Sequence, residues 1–203
     1  ASADPLGTPT GVGFTGGNIV ANDIVVQAED SFTLQTITFD VIALDGTPTE
    51  FDLEIYEDNG TGGVGASTGI TQHFDSSNMS YNLLGNWGLF YPLYEVTLDV
   101  SDIELTAGSE EARYWLAIAS EVSSTGDFTY WSSDDYVSNP DSYPTWQYLE
   151  STQQWQEYVG PSEGVMWVEG ICGSGGGEPG GECDITTTFE AGNNGSAGGI
   201  IFF

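Results

Sequence analysis

Between Glu50 and Ile55 acidic and apolar residues alternate one for one, Glu50, Asp52 and Glu54 against Phe51, Leu53 and Ile55. A strand sends successive side chains to opposite faces, so this pattern gathers the three apolar groups on one side and the three carboxylates on the other; a helix would scatter both sets. Similar short runs occupy 19–27, 32–44, 94–100, 114–120, 128–132 and 165–171, with Gly, Pro, Asn and Asp clustered between them. Strands that are apolar on one face bury it by laying one sheet on another. The expected fold is therefore all-β, a two-sheet antiparallel β-sandwich of jelly-roll-like type. In 32–44 the apolar set is Phe32 and Leu34, then Ile37, Phe39 and Val41, which slips by one residue and predicts a β-bulge near Gln35. The best helical stretch, 151–158, is a turn or two at most.

A chain of 203 residues with 39% hydrophobic content supports one core of sandwich size. Residues 1–172 are expected to form that sandwich. Residues 173–185 read as a glycine-rich connector, and 186–203 as a C-terminal segment carrying a strand. No eighteen apolar residues run together, and Ala1 to Leu6 has neither a basic start nor an apolar centre. The expectation is a chain without membrane insertion whose export signal has been removed.

The chain has 31 acidic residues against a single Lys or Arg, Arg113, and a formal net charge of −30. Phosphate recognition needs clustered Lys and Arg, so nucleic acid is excluded as a partner on this reading. Disorder, the other common reading of strong acidity, requires few aromatic and β-branched residues. Here 13% of residues are aromatic, so the chain is expected to fold, in a setting where counterions screen its carboxylates.

Cys172 and Cys183 flank a ten-residue loop of Gly, Ser, Glu and Pro. A disulfide closing that loop is expected, worth about 2–3 kcal/mol, and it agrees with an extracellular or cell-surface address. Beyond the connector the chain ends on Ile200, Ile201, Phe202 and Phe203. Four consecutive apolar residues at a terminus need cover, and pairing with the sheet edge of a neighbouring copy supplies it. The Thr, Phe, glycine-rich, Gly-Gly order of 188–201 also loosely echoes 10–20.

The succession of 22–26, 32–34, 55–60, Tyr114-Trp115-Leu116, Tyr130-Trp131, Trp155 and Gly170-Ile171-Cys172 resembles a β-sandwich module of secreted and cell-surface proteins of marine flavobacteria, often found in tandem. The resemblance covers roughly 15–172. It implies the sandwich fold and the extracellular address, carries over no catalytic residue, and makes 188–203 the opening of a following copy.

Catalytic constellations are poorly served. The one histidine, His73, reads as a strand-end surface residue, no Gly-x-Ser-x-Gly elbow occurs, and no lysine exists for a phosphate loop. Calcium is the candidate cofactor, with hard oxygens in two groups: Glu57, Asp58 and Asn59 after the Glu50–Tyr56 strand, and Asp134, Asp135, Asn139 and Asp141 in a second loop. Aromatics are densest over 128–158, where Trp131, Trp146 and Trp155 are candidates for stacking on sugars. These features point to a non-catalytic structural subunit that assembles with copies of itself into a filament by β-strand exchange. The alternative is a polysaccharide-binding or adhesion accessory module of a larger secreted protein.

Overall fold

The computed structural model describes residues 11–13, 18–43, 49–87, 91–120, 129–135, 145–157, 162–164, 166–174 and 185–186. Every element among them is a strand: β1 (Gly11–Gly13), β2 (Ile19–Val26), β3 (Asp30–Ala43), β4 (Phe51–Asp58), β5 (Val64–Phe74), β6 (Met79–Trp87), β7 (Tyr91–Thr106), β8 (Ala112–Ser120), β9 (Thr129–Asp135), β10 (Trp146–Leu149), β11 (Gln154–Glu157), β12 (Ser162–Gly164), β13 (Met166–Ser174) and β14 (Ile185–Thr186). The first sheet runs β1-β9-β3-β7-β6, with β12 beside β9 and β13 beside β3. The second runs β11-β10-β2-β8-β4-β5, with β14 beside β2. All these pairings are antiparallel.

The alternation read from the sequence is what closes the sandwich. Phe51, Leu53 and Ile55 of β4 and Leu116 and Ile118 of β8 meet Phe32, Leu34, Ile37, Phe39 and Val41 of β3 and Val96 and Leu98 of β7 in one core. Phe39 and Phe51 join the two sheets edge to face, with ring centroids 5.4 Å apart. Burying an aliphatic or aromatic side chain of this size contributes about 1.5–3 kcal/mol, so this shared layer holds the sheets together.

The slip near Gln35 is a bulge. Leu34 pairs with Gly170 and Thr36 with Glu169, which leaves Gln35 without a partner on β13, and the β7 register shifts at the same place. The extra residue lets both apolar sets of β3 face one core although they differ in parity.

Two local expectations are corrected. Of the stretch 151–158, the described residues 151–157 hold no helix: 150–153 form a turn and β11 begins at Gln154, because residues of 146–157 pair as a hairpin, Trp155 opposite Tyr148. Asp134 and Asp135 lie in a strand and not in a loop, opposite Glu163 and Ser162 of β12. Near the connector, β13 continues to Ser174, and β14 returns the chain to the second sheet, Ile185 opposite Val26 and Thr186 opposite Val25. Residues 187–203, including Ile200, Ile201, Phe202 and Phe203, lie outside the described residues, as do Cys183, Asn139 and Asp141.

Candidate interaction site

The outer face of the second sheet is built around small residues. Ala21 of β2 and Ala117 of β8 stand directly opposite each other, and their short side chains leave room for large rings to fold over them. Trp115, Trp146, Tyr56 and Trp155 fill that room, with Val64 and Ile19 at its margins. The rings meet edge to face: Tyr56 and Trp155 at 5.3 Å, Tyr148 and Trp155 at 5.5 Å, Trp115 and Trp146 at 6.3 Å. Each such pair adds about 0.5–1.5 kcal/mol to what burial alone supplies. The structure thus brings together two of the three tryptophans nominated from sequence, Trp146 and Trp155. Trp131 lies in β9 of the other sheet, and its side chain lies outside the described part of the structure.

Polar groups border the rings. The Tyr56 hydroxyl donates to Glu54 Oε2 at 2.7 Å, and Ser67 Oγ donates to the other oxygen of the same carboxylate. Burial, then the bond to Glu54, carries the Tyr56 phenol above its ordinary value. The indole N–H groups of Trp115 and Trp146 are buried and have no acceptor among the described residues. Unsatisfied buried donors are uncommon in folded chains, which makes these two notable.

The β4–β5 turn closes one end of this face over Trp146. A Cβ on Gly63 would lie 2.7 Å from the Trp146 ring, so the turn approaches the indole as closely as it does only because residue 63 is glycine. Asp58 and Asn59 organise the turn itself. Asp58 Oδ1 accepts from the amides of Gly60 and Gly62 at 2.6 and 3.4 Å. Asn59 Oδ1 accepts from the Thr61 amide and hydroxyl and from the Gly63 amide. Gly60 and Gly62 adopt φ of 84° and 83°, the left-handed region that glycine enters without steric cost. Of the oxygens nominated for calcium here, Asp58 Oδ1 and Asn59 Oδ1 are bonded to the turn's own donors, Asp58 Oδ2 is buried with no hydrogen-bond partner among the described residues, and Glu57 is exposed beside the turn. Among the described residues no three Asp, Glu, His or Cys side chains converge as a metal centre would require.

Sequence reasoning passed over Arg113. It lies beside Asp23 and Asp58, its Nη1 donating to Asp23 Oδ2 at 2.6 Å and its Nε 3.8 Å from Asp58 Oδ2. The signal was in the sequence, since a lone cation among 31 acids is drawn to whichever carboxylates are least hydrated. His73 stands half-exposed on β5, with Nδ1 2.8 Å from Asp52 Oδ1. The Asp52 bond raises its pKa above the ordinary histidine value. The pair bridges β4 and β5 at directly opposed positions on the surface.

The open edges form the second candidate surface. Among the described residues β6 pairs only with β7, and β13 only with β3. Among the described residues the large hydrophobic side chains left exposed are Leu83 (60%) and Leu84 (42%) on β6 and Ile171 (57%) on β13. All three sit on edge strands of the first sheet, at its two opposite sides.

Fold and surfaces together define a class: an all-β sandwich with an aromatic outer face on one sheet and apolar open edges on the other. No family model, curated protein or solved structure matches the chain.

Proposed function

We propose that this chain is a non-catalytic structural module of an extracellular assembly, joined to copies of itself by strand pairing at its open sheet edges. The observation that carries this reading is the placement of Leu83, Leu84 and Ile171 on the two edges of one sheet. An edge strand presents unpaired N–H and C=O groups, and natural sheets protect such edges with charge, proline or cover. Here both edges offer apolar side chains instead. Pairing β6 of one copy with β13 of the next is a head-to-tail contact, which propagates without closing and so builds a filament. The carboxylates carried on the remaining surface keep such fibres apart and soluble.

The C-terminal segment has the same role on this reading, Ile200 to Phe203 supplying a donor strand to a neighbour. A Cys172–Cys183 disulfide would anchor the segment at its root. Supporting that pairing, the chain has just two cysteines, and they flank a short glycine-rich loop. Such a bridge suits an oxidising, extracellular setting.

Light scattering behind size-exclusion chromatography, with negative-stain imaging, tests assembly. The expected result is a ladder of multimers that L83K with I171K reduces to monomer, and that truncation before Thr186 also shortens. A wild-type chain that stays monomeric at every concentration would sink the reading.

A second reading is favoured by the aromatic face: a polysaccharide-binding accessory module. Trp155, Tyr148 and Tyr56 offer ring surfaces beside the Glu54 carboxylate. Affinity electrophoresis through neutral polysaccharides separates the two readings, since W155A abolishes retention under this one and leaves assembly intact under the first.

A further inference from the structure

The alternation along β3 places Asp40 on the outer face of the first sheet, where a carboxylate is expected in water. Instead Asp40 is fully buried, 0% exposed, and neither of its carboxylate oxygens has a hydrogen-bond partner among the described residues. The residue directly opposite on β7 is Glu95, so a second carboxyl group faces the first across the strand pair. Like charges opposed in this way destabilise a sheet, and a buried unpaired charge costs far more than an exposed one. Burial, and then the charge of Glu95, push the Asp40 carboxyl up to about 6, against a smaller opposing pull from the positive charge of the N-terminal amino group.

The described side chains around the pair do not resolve the conflict. Thr38 and Thr97, on one flank, hydrogen-bond to each other at 3.1 Å. Ile42, Leu93 and Tyr91 form a small apolar cluster on the other flank. Asn82, paired with Glu95 from β6, reaches Glu95 Oε1 through its amide at 3.4 Å. Arg113 is held by Asp23 in the second sheet, and His73 by Asp52.

A proton on Asp40 would satisfy one oxygen, strand the other, and leave the Glu95 charge uncompensated. A divalent cation bridging the two carboxylates would neutralise both charges and engage the orphaned oxygens, with the Asn82 carbonyl as a further hard donor. We propose that Asp40 and Glu95 hold a hard divalent cation, calcium in the first instance, on the outer face of the first sheet. The site is separate from the turn and loop positions that the sequence nominated, and it depends on neither proposed function.

The test is thermal unfolding of the full chain, freed of metal by chelator and titrated with calcium chloride at constant ionic strength and neutral pH. Other surface carboxylates also attract calcium, so the informative quantity is the difference between wild type and variants. The expected result is a wild-type midpoint that rises with calcium. Asp40→Asn should melt higher than wild type without calcium, because the buried charge is gone, and should lose the calcium-dependent rise. Glu95→Gln should lose it too, while keeping the wild-type Asp40. Calorimetric titration should show one site fewer in each variant. A wild type indifferent to calcium, or a calcium response equal in all three proteins, overturns the proposal.

Discussion

Arg113 Nη1 stands 2.6 Å from Asp23 Oδ2, and both side chains are largely withdrawn from water, Asp23 to 3% exposure. In a chain with one Lys or Arg and 31 acids, that contact is where the sole permanent positive charge has gone. The pair ties β8 to β2, and the approach of Asp58 to the same guanidinium adds the end of β4. Removing one member of a buried pair leaves the other charged and desolvated, which typically costs about 3–5 kcal/mol. Arg113→Met is therefore expected to lower stability by about that amount in urea unfolding, and adding Asp23→Asn to recover part of the loss. Equal stability of Arg113→Met and wild type would show that the pair contributes nothing.

Gly170 faces the bulge. A Cβ there would lie 2.2 Å from the Thr33 carbonyl oxygen and 2.5 Å from the Phe32 ring. Backbone cannot retreat as a flexible side chain can, so Gly170→Ala is expected to cost about 1–3 kcal/mol of overpacking strain. Gly108, whose Cβ would meet nothing within 4 Å, is the control. Its alanine variant should unfold within about 0.5 kcal/mol of wild type.

His73 supplies a pH signature. Its pKa is raised by the hydrogen bond to Asp52, then by the negative charges of Asp52, Glu50 and Asp75. A raised folded value means that the stabilising contact is fully present below the ordinary histidine range and is lost as pH rises through the folded pKa. Proton NMR of the imidazole should show a midpoint above about 6.5, and Asp52→Asn should bring it down. An unchanged midpoint in that variant would remove the Asp52 contact as the cause.

Asn59 separates turn chemistry from metal chemistry. Its side-chain oxygen accepts from two amides and a hydroxyl of the turn, and in Asn59→Ala water takes its place at these largely exposed donors. The expected loss is about 0.5–1.5 kcal/mol, the same in chelator and in calcium. A loss seen only in calcium would return this turn to the list of cation sites.

Much of the fold was legible because strand periodicity is a local property. The Phe51, Leu53, Ile55 alternation reappears as buried positions of β4, and the slip at Gln35 reappears as a bulge, since both follow from the two-residue repeat of the pleat. The hairpin of β10 and β11 was less legible, because a stretch rich in Gln and Trp has no clean period. Its register depends on Trp155 finding Tyr148 and Tyr56. Of the candidate site, the sequence nominated Trp146 and Trp155 by aromatic density. Tyr56 was hidden inside a strand whose other face claimed attention.

Asp40 marks the limit of such reading. Alternation assigns it to the face away from the core, and it does lie there, yet that face is covered at this position and the carboxyl is sealed in. By itself the sequence determined which residues share a face, because the pleat repeats every two residues whatever the chain does later. Only the tertiary structure decided which outward faces are open to water, which two strands leave apolar side chains on free edges, and which carboxylate the lone guanidinium reaches. Those outcomes depend on which strands lie side by side, and residues such as Asp23 and Arg113, ninety positions apart, meet only once the sheets have formed.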